Sequence, residues 1–495
     1  MTEEADSIRV GLYNHVLAAV QEGLSVVSHL IKEKEHLGTY YNWLKMSVYD
    51  CGLPQFSEEI FSDSPIKYGD AFGGFSPKAK VNELKSFLSL WEFVKDQPYI
   101  KRRLLHPNML VEREDDPKFN KWTIDLFKFI VFGIPEDLID RYIHIHKTFE
   151  FSKNDFDPIY IEYIASIFEE KLYIDICIPI LFLKFNFNNL TFGSSFKIEK
   201  MDDSFQLARA PIQAYGPGVH KSVLSSATHM LVLEDWYIHN NNQWELSETI
   251  SNVSVYPKEH INNFFASLRV VTGFHTGYAQ LLMRPKGWAK DYKAYLPPIY
   301  GTSIRAYPNR FENYYWNRKD IPELSLDTCQ KVVSLYAKLS EVQENTVRVA
   351  IKRLNQCFLR EDEEDSIIDA TIGLEALLSD DDRQEMTHKL AMRVAALCKL
   401  TKDWCKKPFD VFQELKQIYA YRFAVVHGST KTSKKKEIKI GESHSIPASD
   451  LAIEYLRRVL EILITERNYR NPKEIDKKLL LNDSDNGEKP DLRLP

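Results

Sequence analysis

The sequence predicts an α+β protein, predominantly helical, and three observations carry that expectation. Apolar residues recur at three- and four-residue spacings along most of the 495 residues. A central region beginning near Leu172 is instead dense in β-favouring side chains. The composition is 44% hydrophobic and 27% charged, with 19 Gly and 22 Pro, which excludes a mainly disordered or collagenous chain. At roughly 150 residues per domain the length points to about three domains. The expected boundaries are an N-terminal helical domain at 1–165, a mixed α/β middle domain at 166–323, a helical bundle at 324–471 and a flexible tail at 472–495.

Val16, Val20, Leu24, Val27 and Ile31 form one helical face, so the chain opens with a long helix. Amphipathic segments follow around Trp91 to Val94 and Trp122 to Phe132, with breaks expected at the Gly- and Pro-containing stretches 71–77 and 133–135. Strands are expected from Leu172, across Met230 to Trp236, and more weakly across Leu190 to Ile198. Helical spacing returns at His260 to Val271. The stretch Arg284 to Trp316 is rich in Pro, Gly and Tyr and reads as a packed loop.

Beyond Pro322 four stripes require mutual packing as a helical bundle: Val332, Leu335, Leu339, Val342; Ile368, Ile372, Leu378; Met386, Leu390, Val394, Leu397; and Ile453, Leu456, Leu460, Leu463. Pro408 and the run Pro447-Ala-Ser-Asp450 mark helix starts, and Asn471-Pro472 marks an end. Residues from Asn482 onward read as a frayed tail.

Basic and acidic residues number 64 and 70, a net charge of −6, so no global positive field advertises nucleic acid or membrane. The densest apolar run, Ile174 to Leu183, is interrupted by Asp175 and Pro179 and falls short of the ~20 residues of a membrane span. The acidic amino terminus shows no targeting segment, so the cytoplasm is the expected compartment. Six scattered cysteines without a C-x-x-C pair suit reduced core thiols. Neither a cofactor nor a metal is expected.

The most informative segment is Leu415 to Gly428, Leu-Lys-Gln-Ile-Tyr-Ala-Tyr-Arg-Phe-Ala-Val-Val-His-Gly. Leu415, Ile418 and Tyr419 form a face that continues to Arg422, placing a cation beside the bundle core, where it needs an anion. Glu375 shares the stripe of Ile368 and Ile372 and is the best candidate, because burial penalises its charge unless a cation answers it. His427 lies ~140° round an ideal helix from Arg422, so the two share a stripe only if the helix ends or bends there. Gly428 supplies the expected ending.

Arg422, four residues, then His427 resembles the signature of HEPN domains: arginine, four to six residues, histidine. The order of Ile367-Ile-Asp-Ala-Thr-Ile-Gly-Leu-Glu-Ala-Leu-Leu378, His388-Lys-Leu-Ala-Met-Arg-Val-Ala-Ala-Leu397, the Arg-His segment and a last helix is similar to the Apea-like branch, over roughly residues 325 to 470. The resemblance implies a metal-independent endoribonuclease acting in bacterial antiviral defence or a toxin-type system, with transfer RNA a candidate target. It also implies a homodimer with two Arg-His motifs face to face, and a phage-derived trigger or regulatory protein as a further partner. One departure is Phe423, at a position often polar in the family.

In that reading His427 exchanges protons with the ribose 2′-hydroxyl or the leaving oxygen, and Arg422 clamps phosphate. Glu375 orients Arg422, and Lys431, Lys434, Lys435 and Lys436 grip the RNA backbone. Tyr421 and Phe423, off the Arg422 stripe, suit a partner chain. The alternative is a catalytically silent binding or assembly module, with Arg422 paired to Glu375, His427 capping a helix end and the lysines simply solvated. His144-Ile-His146 puts two imidazoles on one face of an expected strand but no acid or cysteine completes a metal set. The runs Gly69-Asp-Ala-Phe-Gly-Gly and Tyr215-Gly-Pro-Gly read as turns, and Tyr314, Tyr315 and Trp316 as packing.

Overall fold

The computed structural model describes residues 3–481 except 59–63, 74–76, 112, 114, 214–217, 314–319, 381–384, 402–403, 405, 429–435 and 441–443. The fold is α+β and predominantly helical. Contacts divide the chain into two units. The first comprises Met1–Pro179, Ser194–Tyr256 and Ala279–Ile304; the second comprises Ile180–Gly193, Pro257–Tyr278 and Arg305–Pro495.

In the first unit α1 (Glu3–Lys32), α2 (Lys85–Val94), α3 (Pro98–Leu104), α4 (Pro117–His146) and α5 (Lys153–Phe168) share one apolar core. Val16, Val20, Leu24 and Val27 of α1 are buried there beside Phe87 and Leu90 of α2, with Ile31 half-buried. Each such side chain contributes roughly 1.5–3 kcal/mol through removal from water. A hairpin of β1 (Leu44–Val48) and β2 (Pro54–Glu58) interrupts the helices.

The break expected at 133–135 does not occur, because α4 runs through both Gly133 and Pro135. Proline forfeits one backbone hydrogen bond, but the burial of Phe127 and Val131 on one side and Leu138, Ile139 and Tyr142 on the other holds the helix together. His144 and His146 are therefore in the last turn of a helix and not on a strand, and two residues apart they point in different directions.

The strands of this unit are β3 (Lys171–Pro179), β4 (Phe196–Lys200), β5 (His229–His239), β6 (Tyr278–Pro285) and β7 (Tyr300–Ala306), in spatial order β4-β5-β3-β6-β7. The three helices α6 (Asp203–Arg209), α7 (Lys221–Leu224) and α8 (Gln243–Ser251) lie between strands in sequence. A register shift between Ile174 and Ile176 sets Asp175 out of line, and the buried carboxylate is answered by Arg284 at 2.9 Å and Lys286 at 2.7 Å. The expected loop from Arg284 to Trp316 contains β7. Gly301, at φ +149°, has a backbone so close to the Leu281 carbonyl that a Cβ would meet its oxygen at 2.3 Å, so close strand pairing replaces the hydrophobic alternation that reveals strands in sequence.

In the second unit α9 (Lys258–Thr272), α10 (Leu326–Ser340), α11 (Asn345–Leu359), α12 (Glu363–Leu378), α13 (Met386–Leu397), α14 (Pro408–Val426) and α15 (Ala448–Thr465) form the bundle. A short antiparallel pair, β8 (Glu437–Ile440) and β9 (His444–Pro447), leads into α15. Helix α11 was not anticipated, although Val347, Ile351, Leu354 and Phe358 form a buried stripe. Val342, expected to continue α10, lies beyond its end.

Helix α12 packs against α11, α13, α14 and α15, and Gly373 lets Leu456 of α15 come within the space a Cβ would occupy. Asn471 does not end the helical structure. Its side chain caps α16 (Pro472–Ile475), and a π-helical turn carries the chain to Leu480. The expected frayed tail from Asn482 lies outside the described residues.

Candidate functional site

Helix α12 starts where Asp362 accepts hydrogen bonds from the backbone N–H groups of Glu364 (2.7 Å) and Asp365 (3.1 Å), and an acidic first turn suits the positive end of the helix dipole. Its core stripe is Ile367, Ala370, Leu374 and Leu377, one position round from the expected Ile368–Ile372 line. Glu375 consequently stands on the half-buried flank of the helix.

Helix α14 begins with Pro408 in its first turn and buries Val411, Leu415, Ile418 and Tyr419. It stops at His427. The His427 N–H donates to the Phe423 carbonyl at 3.1 Å, the Gly428 N–H donates to the Val425 carbonyl at 3.2 Å, and Gly428 takes φ +59°. That left-handed residue is the ending its sequence position predicts.

The fold brings Arg422 and Glu375 together. Arg422 Nη2 lies 3.6 Å from Glu375 Oε1, an ion pair too long for a hydrogen bond, with 30% of the arginine side chain exposed. Arg422 Nε is buried without a hydrogen-bond partner among the described residues, and the Tyr419 hydroxyl faces the Glu375 carboxylate. Burial pushes the Glu375 carboxyl up, against the opposing pull of Arg422 and the nearby Tyr419 hydroxyl. The result is a cluster of one cation, one acid and one phenol on two packed helices, in which the arginine is the under-satisfied member. The sequence places Tyr419 on the helical face that continues to Arg422, three residues on, but gives it no role in the site.

His427 is exposed, and its ring meets that of Phe423 at 4.2 Å between centroids, tilted 45°. No hydrogen bond joins its imidazole to Arg422 or Glu375 among the described residues. Phe423 is 60% exposed beside the exposed Val426, whereas Tyr421 is buried. The expectation that Tyr421 faces a partner chain is therefore corrected: its ring completes the core of its own bundle.

Of the four lysines expected to grip RNA, Lys431, Lys434 and Lys435 lie outside the described residues. Lys436 Nζ sits 3.0 Å from Glu363 Oε2 in the first turn of α12, so it is paired within the chain. Tyr314, Tyr315 and Trp316 also fall outside the described residues. Among those described, no group of three or more His, Cys, Asp or Glu is arranged to hold a metal ion, and no helix is long and apolar enough to cross a membrane. Burial pushes the thiols of Cys177 and Cys329 up to about 12, which keeps them unreactive.

Comparison with protein-family models, with curated proteins and with solved structures returns no match.

Proposed function

We propose that this chain is an endoribonuclease of the HEPN type that cleaves RNA by attack of a ribose 2′-hydroxyl, with transfer RNA as the target class and antiviral defence or a toxin-type system as the setting. The observation that supports this reading is the condition of Arg422. One long ion pair to Glu375 holds it against α12 and leaves its other donors for a second anion, while His427 stands exposed at the terminus of the same helix.

A phosphodiester seated on the guanidinium fork gains charge as the 2′-oxygen attacks phosphorus, and Arg422 stabilises that charge. His427 takes the proton of the 2′-hydroxyl or gives one to the 5′-oxygen as the P–O5′ bond breaks. The products are a 2′,3′-cyclic phosphate and a 5′-hydroxyl. Glu375 holds the guanidinium in place through its charge. One Arg-His pair supplies one proton-transfer group, so two chains related by a two-fold axis supply base and acid together. Exposed Phe423 and Val426 give that dimer an apolar contact. Lys431, Lys434 and Lys435 carry the RNA backbone, Lys436 being held by Glu363, and a phage-derived trigger or regulatory protein controls the activity.

Phe423 lying on the imidazole is the feature that favours the other reading, a silent HEPN binding or assembly module. Incubation of purified protein with total RNA separates the two. Cleavage that persists in EDTA, leaves cyclic phosphate ends and disappears in His427→Ala supports the nuclease. An inert wild type, or a His427→Ala variant as active as wild type, overturns it.

A further inference from the structure

We propose that a cavity of about 680 Å³ at the C-terminal end of α4, in the first unit, binds a free trimethylammonium compound that carries its own anionic group, the chemistry of phosphocholine or betaine. Its lining includes Tyr68, His144, Lys147, Phe149 and Tyr295. The volume lies in the range of roughly 300–1,000 Å³ typical of small-molecule sites. No residue of the Arg422 site takes part, so this inference is independent of the ribonuclease reading.

The four rings form one continuous wall. Phe149 meets Tyr68 at 6.1 Å between centroids and 81° between planes, Tyr68 meets His144 at 5.2 Å and 53°, and His144 meets Tyr295 at 6.5 Å and 62°. None of these neighbours is parallel, so the wall offers no flat slot for a planar ring. It turns from each ring to the next, as a surface around a compact, rounded group must. His144 is fixed in the wall by its Nε2–H, which donates to the Ile66 carbonyl at 2.8 Å. Lys147 caps α4 with a left-handed backbone, φ +54°, and the chain turns there to bring Phe149 to the same cavity.

The electrostatics favour a cation against the rings and an anion at the rim. Aromatic faces carry negative potential, and a methylated ammonium gains most where several surround it. The end of the 30-residue helix α4 adds the negative pole of its dipole. Behind the wall lies Asp140, 4% exposed, with Oδ1 3.8 Å from His144 Nε2. Its oxygens already accept from the Tyr40 hydroxyl and from the Tyr68 N–H at 2.6 Å, so it acts on a ligand through its field. A primary ammonium would bring three N–H donors to a wall with no carboxylate to receive them, whereas a trimethylammonium has none to satisfy. Lys147 is exposed and makes no ion pair among the described residues, so it repels a bare cation and attracts an anion. A ligand bearing both charges answers the rings and Lys147 together.

Calorimetric titration of the full chain with phosphocholine, glycine betaine, choline, the uncharged tert-butyl isostere of choline and inorganic phosphate tests the assignment. Phosphocholine or betaine is expected to bind at least ten times more tightly than the isostere or phosphate. Tyr295→Leu, at a position 47% exposed, is expected to weaken that binding fivefold or more without disturbing the core. Lys147→Gln is expected to weaken phosphocholine and to leave choline unchanged or tighter, and Arg422→Ala to change neither. In wild type the N-methyl protons of the bound ligand are expected to shift upfield in the ring currents of the wall, a readout that needs no variant to fold. Absence of binding up to about 10 mM overturns the proposal. So does equal affinity for the tert-butyl isostere, an unshifted methyl resonance, unchanged binding in Tyr295→Leu or of phosphocholine in Lys147→Gln, or tighter binding to phosphatidylcholine vesicles than to free phosphocholine.

Discussion

Two arginines serve helix α12 in opposite ways. Arg393 of α13 is 3% exposed and saturated: it donates to Asp476 through Nε (2.9 Å) and Nη2 (2.6 Å), to Asp380 at 2.6 Å and to the Leu378 carbonyl at 2.6 Å. Arg422 of α14 reaches the same helix with one contact of 3.6 Å and a buried Nε that meets nothing among the described residues. The bundle thus shows what an arginine fitted for structure looks like. Arg422 departs from that pattern, and in the ribonuclease reading its spare donors meet an anion from outside the chain.

The sharpest way to break this comparison is to remove each group and read activity and stability separately. In the ribonuclease reading His427→Ala and Arg422→Ala lower cleavage by roughly 10²–10⁴-fold, the size of a proton-transfer group or a charge-stabilising donor. Their unfolding free energies change by no more than about 1 kcal/mol, since a partly exposed ion pair of this length contributes little. A comparable loss of stability in Arg422→Ala places it with Arg393 instead. Mixed dimers sharpen the test further. Activity that falls only in proportion to mutant chains, in dimers shown to have formed, contradicts a site shared between two chains.

Arg393→Met tests the other half. Removal of one partner leaves Asp476 without Arg393 and Asp380 with Lys389 at 3.9 Å in its place, and costs about 3 kcal/mol, the lower end for a buried pair because Asp476 reaches solvent. Chemical denaturation measures it. A change below about 1 kcal/mol means that the saturated arginine is no more structural than the unsaturated one.

Glu375→Gln is a smaller perturbation with a diagnostic direction. If the carboxylate orients Arg422 by its charge, kcat falls roughly tenfold, as a small misplacement of a catalytic group causes, while KM and the fold persist. Because burial raises the folded-state pKa of Glu375, its ionisation opposes folding, and the glutamine variant is as stable as wild type or slightly more so above the ordinary carboxylate range. A variant with full kcat assigns Glu375 a purely structural role.

Much of this was legible because helical spacing reports directly on burial. The stripes through Val16, Leu335, Leu390 and Leu456 all lie in the cores their periodicity required, and Gly428 marked the end of α14. What stayed hidden depended on contacts distant in sequence. Pro135 continues a helix because buried neighbours on both sides outweigh one lost bond, and β7 pairs through a glycine that carries no hydrophobic signal. Glu375 lay one step off the true core stripe, so its pairing with Arg422 was foreseeable while its half-exposed setting was not.

The first unit offers the mildest contrast, since it gathers acids where the second gathers saturated arginines. Glu136 on α4 is pushed up to about 8 by burial and then by the charge of Asp137, with Asp70 adding and Lys67 opposing. Asp137 itself is pushed up to about 7, by burial first and then by Asp291. Between the ordinary glutamate value of ~4.3 and about 8 the native state therefore holds a proton that the unfolded chain has released. Stability is fully present below that window and is lost as pH rises through it, the reverse of an arginine-paired carboxylate. The melting temperature of the wild type is expected to decline from pH 5.5 to about 8. Glutamine matches protonated Glu136 in shape and hydrogen-bonding groups, so Glu136→Gln removes part of that slope and leaves the share of Asp137. A wild-type slope of opposite sign, or one identical in the variant, shows that these acids ionise freely in the fold and that the two units handle charge alike.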